Sequence, residues 1–424
     1  MAARDISTGS AAASHRHWLG VAVAPLVLVT GLLAGCAPAH GRVEVTDNGS
    51  LTFTAAAGKA NHVTVRPAGA GVLVRDTGDP LNPGSGCTAV DANTARCTGA
   101  VRVLMDLGDG NDVASNETDL ASNPSPVGGV TGTTGIRGGP GDDVLNGGTN
   151  TDLLIGDEGA DTLNGNGGPD HLREGRDAAS TDVRDKDIFN GGPGTDDRAS
   201  YASATAGVAV DLDGVADDGR KADAQNPVEG DNVNADVEDI EGGGGRDELR
   251  GDADDNTIRG GGENDDLVGN LGDDVLDGQL GSDLLMEGVG AANVDPLDSD
   301  IFAGFLGSFD TGSVDAVSYQ GATVRVIVDI DGAADDGRVG EGDNARADLE
   351  DVVGGGADDV ITGNAEDNHL FGLGGPDTID GAAGDDFLWG DDGFDLLDGG
   401  PGIDHCDVGG EVPADGGSTF TCEA

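Results

Sequence analysis

The sequence has 424 residues, 80 acidic against 22 basic side chains, a formal charge of −58 and 77 glycines. That balance excludes a nucleic-acid binder, which grips phosphates through Lys and Arg. Nine Phe, two Trp and two Tyr are too few to fill an ordinary globular core of this length. A chain this acidic folds only if its carboxylates are neutralised, and a hard divalent cation such as Ca²⁺ suits carboxylate and carbonyl oxygens.

Arg4 and Arg16 precede an uncharged run from Trp18 to Leu33. The run is shorter than the ~20 residues of a membrane span and fits the apolar part of a signal peptide. It ends in Leu33-Ala34-Gly35-Cys36, which resembles the lipobox of bacterial lipoproteins. The resemblance implies that the signal peptide 1–35 is removed, that Cys36 carries a lipid, and that the protein is tethered to a bacterial membrane at the cell surface or outside the cell.

Residues 36–113 read as a β-rich region that caps whatever follows, with strands at Val43–Thr54, Asn61–Arg66, Val72–Asp76 and Val101–Leu107. Gly108-Asp-Gly-Asn-Asp112 already resembles a fragment of the repeat described next. The stretch 114–135, rich in Ser, Thr, Pro and Gly, reads as a linker. Beyond Cys36 four cysteines remain. An even number outside the cytoplasm suggests disulfides, and of the three connectivities the local pairs Cys87–Cys97 and Cys406–Cys422 are the simplest.

From Gly138 the chain repeats every nine residues: GGPGDDVLN, GGTNTDLLI, GDEGADTLN, GNGGPDHLR. The register resumes at Gly242 for five copies and at Gly354 for six, which makes fifteen copies in three runs. Position six is Asp except at Asn256 and Asn368, and position eight is Leu or Ile except at Cys406. Glycines at positions one, two and four permit a tight turn that brings backbone carbonyls inward. Positions seven to nine form a short strand whose middle residue points opposite to its neighbours. Leu145, Leu154, Leu163, Leu172 and their equivalents through Leu397 should therefore stack as a thin core.

A longer period overlies this one. Asp187-Ile188-Phe189 recurs as Asp300-Ile301-Phe302, and Val208–Arg220 recurs as Val326–Arg338. The repeat region is thus an internal duplication, with insertions at 174–190, 200–241, 287–303 and 308–353. Val208–Leu212 and Val324–Ile330 read as strands that lengthen a coil. Asp211, Asp213, Asp217 and Asp218, with Asp329, Asp331, Asp335 and Asp336, offer the oxygens of a further cation loop, but they lack EF-hand spacing and an acidic solvated hairpin or turn is expected in preference to an ion site.

The nonapeptide resembles the calcium-binding repeat of RTX, or haemolysin-type, proteins, whose G-G-x-G-x-D-x-U-x pattern marks a calcium-binding β-helix. The resemblance implies an all-β fold, a right-handed parallel β-roll over 136–407 with a small N-terminal β cap and a C-terminal cap over 408–424. Two nonapeptides would make one coil, so like turns lie 18 residues apart in sequence and ~4.8 Å apart in space. Calcium would sit between such turns. Its ligands would be Asp143, Asp152, Asp161, Asp170, Asp247, Asn256, Asp265, Asp274, Asp283, Asp359, Asn368, Asp377, Asp386, Asp395 and Asp404. Carbonyls at the turns of Gly138, Gly141, Gly156, Gly159, Gly269, Gly272, Gly372, Gly375, Gly381, Gly384, Gly390 and Gly393 would complete the sites. The 18-residue spacing gives nine candidate pairs and hence about nine ions, with weaker sites at the two neutral Asn.

The implied function is calcium binding by a roll that folds on taking up the ion, serving as a structural or adhesive surface module whose partner is a cell-wall polysaccharide or protein. The alternative is a secreted hydrolase or toxin-like enzyme stabilised by the roll. Neither HExxH nor GxSxG occurs, so no catalytic residue is assigned. His171, His369 and His405 fall at position seven, which faces outward.

Overall fold

A computed structural model describes residues 40–118, 134–175, 186–221, 229–288, 299–304, 314–338, 341–409 and 419–422. The expected signal peptide and Cys36 lie outside the described residues. Within them the chain is a succession of short strands. A nine-residue period spends about six residues on a turn, so the repeat strands are mostly three residues long, such as Val144–Asn146 and Thr162–Asn164.

Strands pair in parallel at the expected spacing. Val144, Leu145 and Asn146 face Thr162, Leu163 and Asn164 in one sheet, and Leu153 faces His171 in the other. Alternate nonapeptides therefore feed two layers. Every run residue at position eight from Leu145 to Leu397 is fully buried between them. Each such side chain contributes about 1.5–3 kcal/mol on leaving water, so the core is one residue deep and as long as the stack.

The layers contain sheets of nine, ten, thirteen and six strands. The first layer starts as the nine-stranded sheet and continues as the ten-stranded one. The second starts as the thirteen-stranded sheet and ends as the six-stranded one. Leu172, Ala199, Ile240 and Ile258 occupy matching positions along the thirteen-stranded sheet and are all buried. Its inner face is therefore the same throughout, and the ten-stranded sheet stands where the nine-stranded one left off.

Each layer is interrupted once, at a duplicated insertion. In the first layer Val208–Asp211 runs parallel to Glu248–Arg250 but antiparallel to Gly219–Arg220. An antiparallel bridge between Asp218 and Asp231 then leads to Asn232–Val233, the last strand of the older sheet. In the second layer Val326–Asp329, Gly337–Arg338 and the bridge Asp336–Asp343 do the same. Beyond the N-terminal cap, one reversed strand among the described residues is thus spliced into each otherwise parallel layer. The larger side chains gather there: Phe189 packs on Tyr201 with ring centroids 5.7 Å apart, and Phe302 on Tyr319 at 5.9 Å.

The N-terminal region joins the same stack. Ser50–Thr54 pairs in parallel with Arg102–Asp106, and His62–Ala68 with Val113–Asn116. The remaining cap strands pair antiparallel, apart from Leu81–Pro83, and Cys87 and Cys97 are bonded across two of them. Four sequence expectations change. Val43–Thr54 is two strands, Gly41–Val45 and Ser50–Thr54, joined by a turn. Strands at Leu81–Pro83, Cys87–Asp91 and Thr94–Thr98 lacked a clear alternating signal. The linker is shorter than 114–135, because Val113–Asn116 and Thr134–Arg137 are rungs of the stack and Ala114 is core. The C-terminal segment also adds a rung: Thr419–Thr421 pairs with Leu396–Asp398, and Cys422 is bonded to Cys406.

In ten of the fifteen copies position two of the turn adopts a left-handed backbone, even where the residue is not glycine, as at Leu373 and Ala382 (φ 69° and 67°). Such a conformation costs an L-residue about 1–2 kcal/mol. Ala382→Gly is therefore expected to stabilise the calcium-loaded roll by about 1 kcal/mol after glycine's own entropy is counted. The check is a thermal melt in excess calcium, and an unchanged or lower melting temperature contradicts it.

Candidate metal centre

The position-six residues form ladders, one beneath each layer. All fifteen are buried, the most exposed being Asp404 at 7%. Within a ladder, Oδ1 accepts the backbone N–H of the residue 18 positions earlier. Asp143 N–H donates to Asp161, Asp152 to Asp170, Asp247 to Asp265, Asn256 to Asp274 and Asp265 to Asp283. The last run continues with Asp359 to Asp377, Asn368 to Asp386, Asp377 to Asp395 and Asp386 to Asp404, at 2.8–3.2 Å. All nine sequence-derived pairs are brought together.

The second carboxylate oxygen is treated differently. Oδ2 of Asp143, Asp170, Asp265, Asp377, Asp386, Asp395 and Asp404 is buried and accepts no hydrogen bond among the described residues. Such an atom normally costs about 1–3 kcal/mol, more when charged. Each faces the position-one glycine of its own turn, and Asp143, Asp170, Asp265, Asp377 and Asp386 also face the position-one carbonyl of the next coil. A Cβ placed on Gly260 would overlap the Asp265 carboxylate and lie 2.7 Å from the Gly278 carbonyl. On Gly372 it would overlap Asp377 and lie 3.0 Å from the Gly390 carbonyl, and on Gly138 it would meet Asp143 and the Gly156 carbonyl. Glycine thus leaves a small cradle lined by one carboxylate and one carbonyl oxygen. Hard cations take such oxygens, so the donor set fits Ca²⁺.

Electrostatics point the same way. Burial raises the carboxyl of Asp143 to about 7, Asp170 to about 8, Asp265 to about 8, Asp377 to about 7 and Asp386 to about 6; neighbouring carboxylates add to this, and backbone N–H donors offset part of it. Two buried like charges on successive rungs disfavour ionisation unless a cation lies between them.

The ladders run further than the nonapeptide register. Asn61 N–H donates to Asp112, and Asp112 N–H to Asp143. Asp161 donates to Asp187, Asp170 to Asp197, Asp274 to Asp300 and Asp283 to Asp315. At the insertions Asp187 passes to Asp231, Asp300 to Asp343, Asp197 to Glu238 and Asp315 to Glu350. The isolated stretch Gly191-Gly-Pro-Gly-Thr-Asp-Asp197 resembles the start of a further repeat, and it is its Asp197 that enters the ladder. The recurring Asp-Ile-Phe was the signal for Asp187 and Asp300, because it spells positions six to eight.

Where a layer is interrupted the ladder meets protein donors. Tyr201 O–H donates to Asp231 Oδ2 at 3.2 Å, and Tyr319 to Asp343 Oδ2 at 3.1 Å. Arg220 pairs with Glu229 and lies 3.5 Å from Glu174, while Arg338 pairs with Glu287 and Glu341. The hairpin expectation is half corrected. Asp213, Asp217, Asp331 and Asp335 are exposed. Asp218 and Asp336 are buried, and each takes two backbone N–H donors. Oxygens of Asp329, Asp331 and Asp335 lie within 4.8 Å of one another. Substitutions at position four leave the turn's backbone role intact, since the Glu263 and Glu366 carbonyls still abut Gly281 and Gly384. His369 lies outward beside Asp351 at 3.0 Å, and its ring neighbours Phe387 and Trp389.

The family model of the RTX calcium-binding nonapeptide repeat matches residues 137–172, 234–267, 259–290, 350–379 and 371–406. The second and fourth matches reach back over Glu238 and Glu350, ahead of the strict register. No curated protein matches the chain.

Proposed function

This chain carries RTX calcium-binding nonapeptide repeats, and on that premise we propose that calcium uptake is its folding step and that the folded roll is a surface module. The row of buried Oδ2 atoms facing position-one carbonyls carries this reading. Asp143, Asp170, Asp265, Asp377, Asp386, Asp395 and Asp404 would hold the ions, and calcium would supply the positive charge that two layers of carboxylates lack. The chain's own residues do the rest: glycines open the cradle, Oδ1 fixes each carboxylate through a backbone N–H, and position-eight side chains exclude water.

In the proposed setting the lipobox-like Cys36 anchors the protein outside a bacterial cytoplasm. Inside the cell, where free calcium is scarce, the chain repels itself and stays extended for export. Outside, calcium fills sites whose dissociation constants lie in the ~10⁻⁴–10⁻³ M range typical of extracellular modules. The role is binding and surface structure, not catalysis, with a cell-wall polysaccharide or surface protein as partner.

The test uses residues 37–424 without lipid. Calcium is stripped and titrated back while far-UV circular dichroism and bound ions are followed. A cooperative coil-to-β transition coupled to uptake of several ions is expected. A chain already folded without calcium, or one that takes up only one or two ions, would overturn the proposal.

A further inference from the structure

Asn256 and Asn368 sit at position six and share the position-one cradle of the aspartates in the same run, yet the rung before each presents a different backbone group. Both are buried, at 2% and 0% exposure. Each follows a rung where the strict repeat is broken, after Glu238 and Glu350. An ordinary rung offers a backbone N–H to the position-six side chain above it. Here the preceding rung offers a carbonyl. Asn256 Nδ2 donates to Glu238 O at 2.9 Å, and Asn368 Nδ2 to Glu350 O at 2.8 Å.

The other end of each amide is also committed. Asn256 Oδ1 accepts Asp252 N–H at 2.8 Å, and Asn368 Oδ1 accepts Asn364 N–H at 2.9 Å. Donor and acceptor neighbours on opposite sides fix which atom is nitrogen. The same two contacts recur in both halves of the duplicated chain. A carboxylate in this place would set an anionic oxygen against a carbonyl oxygen at hydrogen-bond distance, which requires a cation or a proton between them. The amide removes that need by presenting N–H to the carbonyl.

We infer that Asn256 and Asn368 stand in for calcium: with Nδ2 given to a carbonyl and the cradle-facing Oδ1 to an N–H, each leaves no side-chain oxygen that needs an ion, and so makes the first rung of its own layer beyond 200–241 or 308–353 metal-free. The family's pattern does not fit at these two rungs, and the sequence expectation of two weak sites there is replaced by none. This inference rests on the reading that the other rungs bind calcium, but it concerns only whether these two do.

The experiment compares calcium bound at saturation, by equilibrium dialysis with elemental analysis, in the wild-type protein and four variants. Far-UV circular dichroism in millimolar calcium checks each fold. Asn256→Ala and Asn368→Ala are expected to bind as many ions as wild type, while needing several-fold more calcium to fold because the Glu238 or Glu350 carbonyl loses its donor. Asn256→Asp and Asn368→Asp are expected to bind one ion more each. Loss of an ion in a folded Ala variant would show the amide to be a ligand and overturn the inference. So would the absence of an additional ion in both Asp variants. A wild-type protein that binds no calcium at all would instead defeat the functional reading beneath it.

Discussion

Stripped of divalent cations near neutral pH, the protein is expected to lose its parallel β-structure, and to regain much of it when the metal-free solution is acidified to about pH 4. The sign follows from the ladder. Asp143 and Asp377 are raised from 3.8 to about 7, and Asp170 and Asp265 to about 8, chiefly by burial. A carboxyl with a higher pKa when folded binds its proton more tightly in the folded state. Its contribution is therefore fully present below 3.8 and is lost as the pH rises through about 7 to 8. Calcium reverses this trend, because ions and protons compete for the same oxygens. Calcium-loaded protein should be most stable near pH 8, with its folding midpoint moving to higher calcium as the pH falls. Circular dichroism at about pH 4, 6 and 8, with and without chelator, checks both arms. A metal-free chain better folded at pH 8 than at pH 4 would contradict this expectation.

Gly381→Ala should remove one calcium ion and weaken the roll by about 1–3 kcal/mol through overpacking alone. Its Cβ would overlap the Asp386 carboxylate and lie 2.8 Å from the Gly399 carbonyl, the two oxygens that line that cradle. The backbone at Gly381 does not require glycine, because its φ lies outside the left-handed range, so the effect reports on occupied space and not on strain. Gly374 supplies the control from the same run. A Cβ there would find its nearest neighbour, the Gly356 Cα, at an ordinary 3.7 Å. Gly374→Ala is expected to leave ion count and stability unchanged within about 0.5 kcal/mol. Equal losses in the two variants, measured as ions bound and as the calcium midpoint of folding, would show that the cradle is not where the ion sits.

The parts of the fold that recur at a fixed spacing were legible in the sequence. Position eight predicted the core from Leu145 to Leu397, and position six predicted nine ladder pairs, because a strict period converts directly into a parallel register. What escaped was whatever broke the period. Asp187 lies 26 residues beyond its ladder partner Asp161, Asp231 lies 44 beyond Asp187, and Glu238 lies 41 beyond Asp197. No spacing rule connects such pairs; only a loop that returns the chain to the same rung does. The reversed strand Gly219–Arg220 is two residues long, too short for any alternation to announce it. The polarity of the Asn256 and Asn368 amides was hidden for a related reason, since it depends on a carbonyl presented by an irregular turn.

A stack of nearly identical coils carries no internal address. Shifting one coil by 18 residues would return leucine to leucine and aspartate to aspartate, so a growing roll is exposed to frame errors that its own contacts barely penalise. The reversed strand spliced between the coils of each layer breaks that translational equivalence. Gly219–Arg220 matches Val208–Asp211 on one side and reaches Asp231 on the other through Asp218, and no nonapeptide can take its place. Each insertion therefore works as an index mark, from which the coils on either side are counted.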